Sequence, residues 1–212
     1  MKKLIIFDCD GVLVDSEKIG NQVLVDMVRP LGVPLSHVEA CHRFKGCKLA
    51  DIIQELEESS GHTFPEDFVP NFRREMHAAF ERDILPIDGI AEALANICLP
   101  KCVASGGPPE KIQQTLSITG LLHYFGENIF SSYVVKSWKP EPGLFLHAAN
   151  AMGYEPSECL VIEDSVVGVK AAVAAGMKVL GYSESSGQEL QQLGATVFHD
   201  MKLLPEMVKK HC

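Results

Sequence analysis

The first residues whose types and spacing suit chemistry are two aspartates, Asp8 and Asp10, which follow the apolar residues 4–7 and precede Gly11. Because successive side chains of a strand point to opposite faces, these carboxylates are expected on one side and Cys9 on the other. Two such charges roughly 4 Å apart repel by about 4 kcal/mol at an effective dielectric of 20, unless a cation or a shared proton relieves them. The pattern therefore indicates a metal site at the carboxyl end of a buried strand.

Two other interpretations of this acidic turn have to be weighed. Taken alone, the same residues are equally typical of a strand that ends in a solvated turn. A calcium loop of the EF-hand type needs a third oxygen ligand before its glycine and a helix in front, whereas here a strand precedes and Gly11 directly follows Asp10. The calcium loop is excluded, and the choice between a solvated turn and a metal site depends on the rest of the chain.

Two later segments carry polar side chains just after a predicted strand or just before a predicted helix. Ser105 and Gly106 follow an apolar run and precede a helix, so the hydroxyl and the exposed amides there can hold a phosphoryl oxygen. A plain serine–glycine turn into a helix would look the same. Lys139, next to Pro140, supplies a cation before another helix, but a lone lysine–proline pair predicts nothing by itself.

A second pair of acids strengthens the case for a metal. Glu163 and Asp164 end the apolar residues 160–162, where an ordinary buried strand would avoid two carboxylates. Either acid alone could cap the following helix. Both together, opposite Asp8 and Asp10 at the same edge of a sheet, favour hard oxygen ligation of Mg²⁺.

The elements that must position these residues follow from the periodicity of the apolar side chains. From residue 17 to residue 82 the period is helical, and this stretch is predicted to be a small helical bundle. Beyond residue 85 predicted strands alternate with helices, which indicates βαβ units and a parallel sheet. Residues 4–7 belong to that sheet, so the helical block is an insertion after the first strand. The other predicted strands cover 101–105, 129–131, 160–163 and 178–182.

Length and charge limit the classes of function. The 212 residues suit one domain with a large insertion or two small domains, and the net charge of −9 gives no electrostatic footprint for nucleic acid or an anionic membrane. An anionic substrate must therefore be held by local cations and a metal. The start of the chain lacks a signal-peptide pattern and no apolar run has the length of a membrane span, so a cytoplasmic location is expected. The seven cysteines include no Cys-x-x-Cys pair and are predicted to be reduced thiols.

Four of these segments, in this order, resemble the four motifs of the haloacid dehalogenase superfamily: Asp8-Cys9-Asp10-Gly11, Ser105, Lys139-Pro140 and Glu163-Asp164. The strings Asp-Gly-Val-Leu-Val-Asp-Ser-Glu and Val-Ile-Glu-Asp-Ser are similar to its β-phosphoglucomutase-like and sugar-phosphatase group. The resemblance implies an α/β fold with a Rossmann-like parallel sheet core of strand order 5-4-1-2-3 and an α-helical cap inserted after the first strand. The core would comprise residues 1–15 and 84–212, and the cap residues 16–83.

The resemblance also implies a mechanism. Asp8 would attack phosphorus to form an aspartyl phosphate, and Asp10 would protonate the leaving oxygen and then accept a proton from water. Lys139 and Ser105 would stabilise the charge on the phosphoryl group. The implied Mg²⁺ ligands are the carboxylate of Asp8, the backbone carbonyl of Asp10 and the carboxylate of Asp164, with Glu163 acting directly or through water.

Substrate choice is expected to come from the cap, because the core recognises only phosphate. One cap segment concentrates three cations, which a solvated loop would also explain: Arg43, Lys45 and Lys48. By resemblance this segment is the cap's specificity loop, and Ser105 and Gly106 complete the predicted substrate-binding set.

The expected partner is a small phosphorylated metabolite, a sugar or a sugar acid. The Phe-Lys-Gly segment and the Ser-Gly-Gly-Pro turn are similar to those of bacterial 6-phosphogluconate phosphatases, which favours 6-phosphogluconate. No nucleic-acid or membrane partner is expected, and the chain is expected to be a monomer or a weak homodimer.

Three rival functions use the same fold. A β-phosphoglucomutase-type mutase would share the core residues, but such mutases carry a histidine at the position of Gly20. A haloacid dehalogenase needs neither a second aspartate nor a metal, and Asp10 and the Glu163-Asp164 pair argue against it. A non-catalytic binding protein would be expected to have lost a motif residue, and none is lost from the set Asp8, Asp10, Lys139 and Asp164.

Overall fold

The computed structural model describes residues 3–211, which fold around one parallel β-sheet. Its strands are β1 Leu4–Phe7, β2 Lys101–Ser105, β3 Ile129–Ser131, β4 Cys159–Glu163, β5 Lys178–Tyr182 and β6 Thr196–Phe198. They lie in the order β3-β2-β1-β4-β5-β6, and every neighbouring pair is parallel. The predicted fold class is confirmed, and the predicted order 5-4-1-2-3 holds when the sheet is followed from the opposite edge.

The edge strand β6 was not predicted from the sequence. It has three residues, of which Thr196 is exposed and Val197 only half-buried. Such a short, partly exposed strand shows too little alternation of apolar and polar residues to be recognised. It extends the sheet beyond β5 and lies away from the acidic residues.

Helices cover both faces of this sheet. The two faces of β1 show this, because Ile5 and Phe7 belong to one buried apolar cluster while Leu4 and Ile6 belong to another. The helices outside the predicted cap are α5 Ile90–Asn96, α6 Pro109–Ile118, α7 Ser132–Val135, α8 Gly143–Met152, α9 Val166–Ala174, α10 Gln188–Gln192 and α11 Leu204–His211, numbered after the four of the cap.

The predicted cap segment contains four α-helices and no strand, and it has its own apolar core. Its helices are α1 Ser16–Val28, α2 His37–Arg43, α3 Leu49–Ser60 and α4 Phe68–Asp83. Ser36 begins α2 by accepting a hydrogen bond from the Glu39 N–H, and Gly61 ends α3 in the left-handed conformation. The last of these helices, α4, begins at Phe68 after a turn that follows Pro65.

The register of the central strands brings the polar residues to one edge. Phe7 pairs with Val103 on β2 and with Ile162 on β4. The residues that follow these positions, among them Asp8 and Glu163, therefore emerge side by side at the carboxyl ends of the strands, where ligands bind in open α/β sheets.

The structure also bears on the predicted thiols and on the question of membrane-spanning helices. The six cysteines within residues 3–211 are free thiols, and Cys9 lies in the core as expected. The seventh, Cys212, lies outside the described residues together with Met1 and Lys2. Among the described helices, none combines the length and the apolar character needed to cross a bilayer. The cytoplasmic location and the monomeric or weakly dimeric state stay predictions.

Candidate active site

A buried ion-pair network joins the ends of β1 and β4 to the segment before α8. The Lys139 ammonium donates to Asp8 Oδ1 at 2.5 Å and to Glu163 Oε1 at 2.6 Å. The exposed fractions of these side chains are 8% for Lys139, 9% for Asp8 and 1% for Glu163. The fold thus brings together three predicted site residues from separate motifs, with one cation between two acids.

Burial and charge oppose each other in this network. Burial raises the pKa of Asp8 well above its ordinary value, and the Lys139 ammonium opposes that shift. Burial alone would lower the pKa of Lys139, but the Asp8 and Glu163 carboxylates outweigh it and hold that pKa above its ordinary value. Lys139 is therefore a cation at neutral pH, and it stabilises negative charge at Asp8.

Glu163 anchors the network. Its Oε2 accepts hydrogen bonds from the backbone N–H groups of Asp164 and Ser165, each at 2.7 Å, and from the Ser165 hydroxyl at 3.0 Å. Its other oxygen accepts from Lys139, and the residue is fully buried. Both carboxylate oxygens of Glu163 already accept hydrogen bonds from the protein. Of its two predicted roles, this favours contact with the metal through water over direct ligation.

Gly168 in α9 leaves the space that the Glu163 carboxylate occupies. A Cβ atom at this position would lie 1.8 Å from Glu163 Oε1. We expect Gly168→Ala to lower the free energy of unfolding by about 1–3 kcal/mol or more, because the carboxylate cannot move without losing its donors. Urea unfolding provides the measurement.

The matched control is Gly20→Ala in α1. A Cβ atom there would meet only Met76, at 3.6 Å, and alanine stabilises a helix interior by roughly 0.5–1 kcal/mol relative to glycine. This variant should be as stable as the wild type or more so. Equal destabilisation by the two substitutions would contradict the role given to Gly168.

Three carboxylates converge closely enough to hold a divalent cation. Asp8, Glu163 and Asp164 each offer an oxygen, and these atoms lie within 4.8 Å of one another. Gly11 keeps the space beside Asp164 open, since a Cβ atom there would lie 2.2 Å from Asp164 Oδ2. Mg²⁺ prefers oxygen ligands of this kind, so the residues present fit the predicted ion. The carboxylate of Asp10 is not part of this cluster within residues 3–211, and its predicted contribution is the backbone carbonyl.

Asp10 has a lysine partner that was not predicted from the sequence. Lys111, in the first turn of α6, donates to Asp10 Oδ1 at 2.6 Å, and the Ser16 hydroxyl donates to the same oxygen. Burial alone would raise the pKa of Asp10, but the Lys111 ammonium outweighs it and lowers that pKa. The sequence did carry a signal: the helix dipole disfavours a cation in the first turn of a helix unless a carboxylate compensates.

These residues face one cavity between the sheet and the cap, with a volume of about 540 Å³. Asp8, Asp10 and Lys139 line it from the core side. Gly106 also lines it, and a Cβ atom at Gly106 would meet nothing within 4 Å, which leaves open space beside α6. Ser105 lies behind this turn: it is fully buried, and its hydroxyl oxygen accepts from the Gly107 N–H at 3.1 Å. The Ser105 hydroxyl therefore shapes the turn.

Two of the three predicted cap cations have contrasting positions. Arg43 pairs with two acids of the cap, Glu39 and, at 2.6 Å, Glu55. Its charge is compensated within the cap, and it is not among the residues of the cavity wall. Lys48 does line the cavity, with Nζ 4.4 Å from the centre of the Trp138 ring. The structure thus separates Lys48 from Arg43 as a candidate for substrate contact.

Lys45 and Gly46 bring the cap loop against the core. The Lys45 ammonium lies 2.7 Å from Asp164 Oδ2, and Glu17 accepts a hydrogen bond from the Gly46 N–H at 3.1 Å. Burial raises the pKa of Asp164 to about 8 and that of Glu17 to about 7, and the Lys45 ammonium opposes both shifts. Glu17 is a further acid of the cavity wall, with no role predicted, although it ends the string Asp-Gly-Val-Leu-Val-Asp-Ser-Glu.

The chain is similar to known hydrolases along most of its length. Residues 2–176 match the family of haloacid dehalogenase-like hydrolases. The chain is 35% identical over 207 residues to 6-phosphogluconate phosphatase of Escherichia coli (strain K12), across 97% of this chain and 94% of that protein. It is 30% identical over 182 residues to hexitol phosphatase B of the same organism, across 82% and 80% of the two chains.

A solved structure shares the whole architecture. It is the crystal structure of a conserved haloacid dehalogenase-like protein from Agrobacterium tumefaciens, which has a TM-score of 0.87 and 34% sequence identity over 99% of both chains. A family match over most of the chain and relatives that are phosphatases confirm the predicted resemblance and the predicted class of enzyme. The chain belongs to the haloacid dehalogenase-like hydrolases, in their sugar-phosphatase and β-phosphoglucomutase-like group, and it is a phosphatase.

Proposed function

We propose that this phosphatase hydrolyses the phosphate monoester of a small sugar or sugar acid, with Mg²⁺, through an aspartyl phosphate. The observation that carries the proposal is the position of Asp8. Its carboxylate lies in the cavity wall, bonded to Lys139 and within 4.8 Å of a ligand oxygen of Asp164. An attacking oxygen, an ammonium that offsets charge and a metal-binding carboxylate therefore meet at one point, as phosphoryl transfer to a side chain requires.

In the first step Asp8 forms a bond to phosphorus while the bond to the ester oxygen breaks. Asp10 gives its proton to that leaving oxygen. Lys139 offsets the negative charge shared by Asp8 and the phosphoryl group, and the open turn at Gly106 receives the phosphoryl oxygens. Asp8 and Asp164 would hold Mg²⁺, which would supply further positive charge at the phosphoryl group.

In the second step water attacks the phosphorus of the aspartyl phosphate. The carboxylate of Asp10 takes a proton from this water, and phosphate leaves while Asp8 is restored. The ion pair with Lys111 favours the carboxylate form of Asp10, which suits the second step, whereas the first step starts from the smaller fraction of Asp10 that carries a proton.

Transfer to water is favoured over transfer to a second sugar hydroxyl. Gly20 lies in the cavity wall and offers no side chain that could bind such a hydroxyl or move its proton. Water is then the acceptor that Asp10 activates. Conversion of β-glucose 1-phosphate to the 6-phosphate faster than phosphate release would favour the mutase alternative.

The substrate proposal starts from the two bacterial relatives. One is named for 6-phosphogluconate and the other for hexitol phosphates, so both names refer to a phosphate on a six-carbon chain. The higher identity, over more of the chain, is to the former. We therefore take 6-phosphogluconate as the first substrate to be measured.

A panel of phosphate esters, assayed for released phosphate, tests the proposal. With Mg²⁺ we expect 6-phosphogluconate or a hexitol phosphate to be hydrolysed faster than 4-nitrophenyl phosphate. Exhaustive chelation should remove turnover, because the acids that bind the ion then repel the substrate. Mg²⁺ at about 100 times its Kd should also raise the free energy of unfolding by about 2.7 kcal/mol, whereas Na⁺ at matched ionic strength should not. Full activity after chelation, or no hydrolysis of any ester, would contradict the proposal.

A further inference from the structure

Two cations of the cavity wall have no acidic partner within residues 3–211: Arg73 of α4 and Lys48, just before α3. The lysines at the acidic cluster are different, because Lys45, Lys111 and Lys139 each pair with a carboxylate. Arg73 and Lys48 line a cavity, whereas other cations of the described residues without an acidic partner lie exposed on the surface, such as Lys136, Lys170 and Lys209. Two of them on the wall of one cavity indicate an anionic occupant.

Aromatic side chains from the core hold both cations in place. Lys48 Nζ lies 4.4 Å from the centre of the Trp138 ring, and Arg73 Cζ lies 5.7 Å from the centre of the Tyr133 ring. The two rings pack edge to face with their centres 5.7 Å apart. Lys48, Trp138, Tyr133 and Arg73 thus form one strip of the wall, here called the cationic strip. A ring attracts a cation without neutralising its charge, so both charges stay available to a ligand.

The cationic strip begins beside the reacting groups. Trp138 is the chain neighbour of Lys139, which binds Asp8. Lys48 stacks on Trp138, whereas Arg73 stacks on the next ring, Tyr133. Along the strip, Lys48 thus contacts the ring next to Lys139 in the chain, and Arg73 contacts the ring one step further away.

From this order we infer that Arg73 is the receptor for a carboxylate at the end of the substrate away from the phosphate, and that Lys48 binds hydroxyl groups between the two ends. The inference rests on the proposed phosphatase function and narrows its substrate class to phosphorylated sugar acids. A guanidinium presents two parallel N–H donors that match a carboxylate, which an ammonium cannot do. Because both cations belong to the cap and both rings to the core, a bound sugar acid also joins the cap to the core.

The test compares two esters that differ in one group. Gluconate 6-phosphate has a carboxylate where glucitol 6-phosphate has a hydroxymethyl group, so the ratio of their kcat/KM values isolates the carboxylate. We expect the wild type to prefer the acid by roughly tenfold to a hundredfold, the effect of a hydrogen bond to a charged group. Arg73→Gln should bring this ratio close to one. Lys48→Met should lower kcat/KM for both esters and leave the ratio high.

Arg74→Gln is the matched control, because Arg74 adjoins Arg73 but bonds to Asn71 and Glu75 on the outside of α4. Calorimetric binding of both esters to the same variants in an Asp8→Asn background gives a second readout that needs no turnover. An unchanged ratio in Arg73→Gln, or an equal fall in Arg74→Gln, would overturn the inference. Preferential binding of the acid without hydrolysis of any ester by the wild type would support the carboxylate receptor and overturn the proposed function.

Discussion

Asp8→Asn is expected to lower kcat/KM by about 10³-fold or more, because an amide cannot serve as the nucleophile that accepts the phosphoryl group. Acid quenching of the wild type during turnover should yield protein that carries one labile phosphoryl group, detected as a mass increase. The variant should show no such species. Its fold should persist, because Lys139 keeps Glu163 as a partner and the buried cluster loses one negative charge.

Two further variants distinguish the loss of the nucleophile from other effects. Asp10→Asn should slow turnover while leaving the attacking carboxylate of Asp8 in place. Asp26→Asn, on the exposed face of α1 beside Arg29, should leave turnover unchanged. Substantial turnover by Asp8→Asn, with deamidation excluded by mass spectrometry, would instead point to direct attack by water.

Lys139→Met is expected to lower the free energy of unfolding by about 3–5 kcal/mol, because it leaves Asp8 and Glu163 buried without their shared cation. Methionine keeps most of the side-chain volume beside Phe145, so the loss reports charge and not a cavity. Urea unfolding in the presence of a chelator measures it. Turnover should fall as well, since the charge on the phosphoryl group loses its fixed counter-charge.

The pH dependence of that loss has a definite sign. Burial already raises the pKa of Asp8 in the folded protein, and removal of the lysine raises it further. The folded state then binds more protons than the unfolded state, so stability falls as pH rises and the penalty should shrink towards about pH 5.

Lys18→Met is the control for Lys139→Met, because Lys18 pairs with Asp15 on the surface and surface pairs contribute about 0–1 kcal/mol. Mg²⁺ should restore part of the stability of Lys139→Met by supplying positive charge at Asp8 and Asp164. Equal stability of Lys139→Met and the wild type without metal would show that the buried acids are neutralised in another way.

The sheet could be predicted from the sequence because its signals are local. Residues 4–7 and 160–162 are unbroken apolar runs, each followed directly by acids. A strand that is buried on both faces needs such a run, and acids cannot continue it, so they mark where it ends. Parallel pairing then brings all carboxyl ends to one edge of the sheet. These local signals predict Asp8 beside Glu163 and Asp164, and the register of β1 and β4 agrees with that prediction.

The directions of individual side chains did not follow from such signals. Ser105 was predicted to contact the phosphoryl group; its oxygen accepts from the Gly107 N–H, and donation of its own proton to a phosphoryl oxygen stays a prediction. Arg43 was predicted to contact the substrate, yet it pairs with Glu39 and Glu55 within the cap. A strand end or a loop determines roughly where a side chain starts, but the neighbours that it finds determine where its polar atoms point.

The sequence by itself determined the class of fold, the place of the helical insertion and the acids at the carboxyl edge, because these depend on runs of a few residues with a fixed period. Only the tertiary structure decided which cation serves which acid. Lys111 reaches Asp10 from 101 positions along the chain, and Arg73 and Lys48 of the cap meet aromatic rings of the core. Such pairings join segments that are far apart in sequence, and their energies depend on distance and burial, which exist only once the sheet and the cap have packed together.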